Sequence, residues 1–168
     1  VGVDLRKRDL RTLRKNTGVD LQAVYLFTDT LLNNITLNNP DINFEDVVAA
    51  TKDIGLYEYI LSLPSGFDYK VTERGQGLSA GQRQLVAFIR AFVYQPSIFI
   101  LDEATATIDT QTEQLIQKAA EKISEGRTSI IIAHRLSTIK HVDKIFVFDH
   151  GKIIEEGSII ELLSTESK

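Results

Sequence analysis

Two short apolar runs constrain this chain more than any other feature: Ser97-Ile98-Phe99-Ile100-Leu101, which ends on the adjacent carboxylates Asp102 and Glu103, and Ser129-Ile130-Ile131-Ile132 within Thr128 to Ala133. Such runs are too short for an ordinary helix and suit strands buried on both faces of a parallel sheet. Gly18 to Leu21 reads as a further short strand, and strands alternate with helices along the chain. That alternation predicts an α/β fold, a parallel sheet covered by helices. Lys144 to Phe148 and Lys152 to Glu156 alternate more strictly and are joined by Asp149-His150-Gly151, which predicts a hairpin at a sheet edge with glycine in the left-handed position.

Helices are placed by period and caps. Leu115, Ile116, Ala119, Ala120 and Ile123 share one face of a helix that Asp109 caps and Gly126 follows. Ser158-Ile159-Ile160-Glu161 has the S-x-x-E pattern of a capping box. Between Thr30 and Tyr94 the pattern predicts helices at Leu31 to Ile35, Phe44 to Thr51, Leu56 to Leu61 and Ala80 to Tyr94, with a turn at Asn38-Asn39-Pro40-Asp41. The block reads as strand-free, a helical lobe at 30–95 inserted into an α/β core formed by 1–29 and 96–168.

Composition sets outer limits. A chain of 168 residues, 43% hydrophobic and 25% charged, can bury one ordinary core. A net charge of -4 and a pI near 5.4 argue against a broad nucleic-acid footprint, which needs a basic face. No run approaches about 18 consecutive apolar residues, so no membrane span and no export leader are expected in it. The absence of cysteine fits a reducing compartment. With no methionine and Val1 at its start, the chain reads as a piece of something longer.

Chemistry concentrates in two segments. Leu78-Ser79-Ala80-Gly81-Gln82 precedes an almost wholly apolar helix, and Asp102-Glu103 ends the first apolar run. Ser79 can cap the helix while the N–H groups of Ala80, Gly81 and Gln82 face an anion, and Gly81 lets a phosphate approach the backbone. Taken singly, the first is more simply an ordinary serine-capped helix start, and Asp102-Glu103 equally the end of a strand and the start of a turn. Together they resemble the signature motif and Walker B strand of the ATP-binding cassette (ABC) ATPases. Glu73-Arg74-Gly75, Leu63-Pro64-Ser65-Gly66-Phe67-Asp68 and Ala133-His134-Arg135-Leu136-Ser137-Thr138 extend the resemblance over essentially the whole chain, toward the exporters. No stretch fits G-x-x-x-x-G-K-[ST], the phosphate-cradling loop of that family.

The resemblance implies a P-loop NTPase-like (RecA-like) core with an inserted helical subdomain, its first strands missing, and it implies ATP and Mg²⁺ as cofactors. Asp102 would hold Mg²⁺ through water and Glu103 would orient the attacking water. His134 would sense the γ-phosphate as the switch histidine. Gln22 would reach the metal as the Q-loop glutamine, although its neighbour is Ala23 where the family has an acid, and Thr17 and Asp20 are polar for an apolar strand. Asp109 matches the D-loop aspartate. His141 and His150 are assigned to solvated loops. Ser79, Ala80, Gly81 and Gln82 would grip the nucleotide of a second nucleotide-binding domain in a head-to-tail dimer. A transmembrane domain would be the other partner, at the cytoplasmic face of a membrane, with no nucleic acid. Two rivals are a non-transport ABC ATPase and an interaction module that keeps the fold without turnover.

Overall fold

The computed structural model describes residues 4–20, 24–102, 109–133, 139 and 142–165, with the side chains of 5, 15, 20, 74 and 165 undescribed. Gln22, Glu103, His134 and His141, and Leu21 at the end of the first expected strand, lie outside these residues. The chain divides into two compact units, Val1–Ile132 and Ala133–Lys168.

The first unit opens with a 3-10 turn, Leu5–Lys7, and α1, Leu10–Asn16, capped by Asp9, whose carboxylate accepts from the Thr12 N–H. Neither was expected. β1, Thr17–Asp20, follows directly. A two-residue strand β2, Asp29–Thr30, leads into α2, Leu31–Thr36, α3, Phe44–Asp53, and α4, Tyr57–Ser62. β3, Lys70–Val71, pairs antiparallel with β2, so the helical region contains a small ribbon and is not strand-free. Two residues per strand leave no readable period, which is why the sequence concealed it. Then come α5, Ala80–Tyr94, β4, Ile98–Asp102, α6, Thr110–Ser124, and β5, Thr128–Ile132.

β1, β4 and β5 form a three-stranded parallel sheet in the order β1-β4-β5. β4 is central, and its alternate residues Phe99 and Leu101 are buried in the hydrophobic core with Leu85, Phe88 and Ile89 of α5 and Ile123 of α6. The rings of Phe88 and Phe99 lie 6.3 Å apart. The opposite face of the same sheet is open, with Val19 51% exposed, Ile130 52% and Ile132 48%. β5 is therefore not buried on both faces as its composition suggested. It is an outer strand with one covered side, because an apolar run reports hydrophobicity but not the number of layers packed upon it. β1 is the other outer strand among the described residues.

Leu37, just past α2, takes a left-handed conformation (φ 50), and Tyr94 reaches across to donate its hydroxyl to the Thr36 carbonyl at 2.6 Å. The expected turn follows, closed by the Asp41 N–H on the Asn39 side chain at 3.0 Å.

In the second unit β6, Ile145–Asp149, and β7, Lys152–Gly157, pair antiparallel as a two-stranded sheet of their own. The connecting residues His150 and Gly151 both have positive φ (46 and 75), the geometry of a type I′ turn whose twist matches the strands. His150 tolerates it with its ring nitrogen 2.8 Å from the Asp149 carboxylate. α7, Ile159–Thr165, is started by the Ser158–Glu161 pair, with the Ser158 N–H donating to Glu161 at 2.7 Å.

Candidate functional site

The tip of α5 is built by reciprocal hydrogen bonds. The Gln82 N–H donates to the Ser79 hydroxyl at 3.2 Å and the Ser79 N–H donates to the Gln82 side-chain carbonyl at 2.9 Å, a complete capping box. Leu78, immediately before the cap, is buried. The amide of Gln82 is thus occupied, which differs from the expectation of three free N–H groups. Helix geometry leaves those of Ala80 and Gly81 without an intrahelical acceptor. α5 carries no acidic residue in its first turn, whereas α3 and α6, the other helices of ten residues or more, carry Glu45 and Asp46 and Glu113 there. The first turn of α5 thus leaves the positive end of its dipole without a carboxylate of its own, and an anion is the group it would attract.

Asp102 stands at the carboxyl end of β4, half-buried and in register with Ile132 at the end of β5. Both strands therefore finish at the same edge of the parallel sheet, the edge at which ligands collect in open α/β sheets. Glu103 directly follows Asp102 in sequence, and His134 comes two residues after Ile132. Among the described residues no group of three or more His, Cys, Asp or Glu is arranged to hold a metal ion. A single carboxylate nonetheless fits Mg²⁺, which keeps most of its waters and takes one or two protein carboxylates beside the phosphates of its nucleotide.

Asp109 caps α6 and accepts from the Thr112 N–H at 2.9 Å. That backbone bond, with the Thr112 side chain next, holds its carboxyl below the ordinary aspartate range. Near it the Tyr59 hydroxyl is buried and makes no hydrogen bond, and its pKa is pushed up to about 12, first by burial and then by Tyr69 and Asp109. Tyr59 drew no attention in the sequence, because nothing in Tyr57-Glu58-Tyr59-Ile60 tells a surface tyrosine from one whose oxygen is enclosed. α5 and α6 pack against each other, so the helices bearing the two capped tips are neighbours in the first unit.

Residues 1–106 match the model of the ABC transporter family. The chain belongs to the ABC transporter family. Its α/β architecture with the β1-β4-β5 parallel sheet is that of the P-loop NTPase fold. Among ABC transporters it is 46% identical over 165 residues to an ATP-dependent lipid A-core flippase of Legionella pneumophila, which covers 98% of this chain and 28% of the relative. It is 47% identical over 154 residues to the ABC transporter ATP-binding protein YknU of Bacillus subtilis, 92% of this chain and 26% of that one. With the ABC transporter aclQ of Aspergillus oryzae it shares 45% over 163 residues, 97% of this chain and 20% of the relative. The chain spans between a fifth and three tenths of the length of these relatives. It is nucleotide-binding-domain sequence of the ABC exporter type. No described helix is long and apolar enough to cross a membrane.

Proposed function

We propose that the protein carrying this chain hydrolyses MgATP between two nucleotide-binding domains arranged head to tail, and uses their closure to drive export through a transmembrane domain at the cytoplasmic face of a membrane. The observation that carries the proposal is the α5 tip, where a neutral capping box and the unneutralised amides of Ala80 and Gly81 form an anion-seeking surface directly after Leu78.

Each named residue then has one task. Ser79, Ala80 and Gly81 hold the γ-phosphate bound by the opposite domain, through the serine hydroxyl and the two amides that have no intrahelical acceptor, with Gln82 fixing Ser79 through the capping box. Asp102 would hold Mg²⁺ through water, together with Gln22, and that ion when bound would neutralise charge on the nucleotide's phosphates. Glu103 orients the attacking water and takes up its proton. His134 donates a hydrogen bond to the γ-phosphate, and Asp109 contributes to the dimer interface from the α6 tip. The chain itself contains no G-x-x-x-x-G-K-[ST] loop and by itself turns ATP over slowly or not at all. In this reading the 30–95 helical lobe carries the signature segment, and the α/β core of 1–29 and 96–168 carries Gln22, Asp102, Glu103, Asp109 and His134.

In the intact protein, Glu103→Gln should lower kcat by at least 100-fold while MgATP still binds with unchanged affinity. Turnover within twofold of wild type would remove Glu103 from the reaction and the reading with it.

A further inference from the structure

The α5 tip is held by a residue outside the signature segment. Counting from Ser79 as the cap, Arg83 is the fourth residue of the helix. A helix start with an apolar residue before the cap commonly closes by packing that residue against an apolar one at this position. Leu78 is the apolar partner and is 5% exposed, yet the position facing it is an arginine. Its guanidinium turns back and donates from Nη1 to the Leu78 carbonyl at 2.6 Å, in a partly buried setting.

The loop before the cap is shaped to receive this side chain. Gly75 has φ 75, and a Cβ built there would stand 2.8 Å from Arg83 Cδ and 3.4 Å from its Cγ. Only a glycine leaves room for the arginine stem while adopting that backbone. The loop is closed by the Leu78 N–H on the Gly75 carbonyl at 3.1 Å, so one arginine packs on its first residue and bonds its last. On the other side Gly77, with φ 95, has the Tyr69 hydroxyl 3.0 Å from where its Cβ would be. A cation this near a helix start opposes the dipole, and α5 has no acid in its first turn to offset it. The charge itself therefore does not favour the helix start, and what the position supplies is the bond to the Leu78 carbonyl.

We propose that Arg83 is a positioning residue for nucleotide gripping. By fixing the Leu78 carbonyl it sets the direction in which the Ser79 hydroxyl and the amides of Ala80 and Gly81 face, without touching the nucleotide. This rests on the function proposed above.

Arg83→Met keeps the apolar stem over Gly75 and removes the donor, whereas Arg83→Lys keeps the stem, the charge and one donor group. In the chain without nucleotide, Arg83→Met should speed hydrogen exchange of the Leu78 and Gln82 amides about tenfold, with the amides of α6 unchanged. In the intact protein it should lower kcat/KM for ATP about tenfold, and Arg83→Lys should restore at least half. Unchanged exchange overturns the proposal, since a residue that only met the phosphate would leave the empty tip as it was. So does a tenfold loss in Arg83→Lys, which also decides the matter should Arg83→Met not fold. If Arg83→Met is silent in turnover while Glu103→Gln abolishes it, the role of Arg83 fails alone. If Glu103→Gln retains turnover, the reading of the site fails first and this proposal falls with it.

Discussion

The α5 and α6 tips belong to two neighbouring helices of equal length, each opened by a side-chain cap, and they spend their dipoles differently. At α6 the cap is a carboxylate, Asp109, with Glu113 in the turn behind it. At α5 the cap is a hydroxyl completed by an amide, with no acid in the first turn and a guanidinium turned back upon it. Satisfying the orphan N–H groups of a helix and neutralising its dipole are separable tasks. α6 does both with its own residues, while α5 does only the first and leaves its field for an anion from outside.

The strongest way to break this contrast is to make α5 like α6. Ser79→Asp caps well but sets a negative charge where a phosphate should sit. Two unit charges about 4 Å apart repel by about 4 kcal/mol near a protein surface, so kcat/KM for ATP should fall by roughly 1,000-fold in the intact protein while the chain's melting midpoint holds or rises. A lowered midpoint with unchanged turnover would mean that the tip serves the fold alone. Ser79→Ala is milder: it removes the hydroxyl from both tasks, costing about 1 kcal/mol of stability and roughly tenfold in kcat/KM, measured by denaturant unfolding and steady-state assay. A change in only one of the two would show which task the hydroxyl serves.

The smallest effect lies at α6 and concerns pH. The Asp109 carboxyl is held low by the Thr112 N–H, so its contribution is present above the unfolded aspartate value and is lost as pH falls through the folded one. Asp109→Asn keeps an acceptor without titrating. The stability difference between wild type and Asp109→Asn should therefore shrink as pH falls below the ordinary aspartate value of about 3.9, followed by unfolding midpoints, and a constant difference would refute the cap's charge.

The helices could be read because their ends carry polar side chains with fixed partners. Ser79 with Gln82, Asp109 with Thr112 and Ser158 with Glu161 are all local in sequence, and α5 occupies the span its pattern predicted. α1 escaped although its Asp9–Thr12 cap is just as local, and most of the rest was set by neighbours distant along the chain. β5 has the composition of a central strand and lies outermost, since strand order is decided by crossovers rather than by side chains. The β2–β3 ribbon likewise depends on tertiary placement, whereas the hold of Arg83 on Leu78 is local but has no sequence pattern that announces it. At the candidate site Asp102 was legible from the apolar run that ends on it. The occupied amide of Gln82 was not, because a capping box and a free anion-binding turn have the same sequence.

One sheet face has a consequence for how this chain is handled. With Val19, Ile130 and Ile132 each about half exposed on one side of β1-β4-β5, the folded chain itself offers aliphatic surface there. Fluorescent dyes that brighten on apolar contact, commonly taken as a sign of loosened packing, will light up with the chain fully folded. Their signal here reports surface chemistry, and unfolding is better followed by the environment of Phe88 and Phe99 beneath the opposite face.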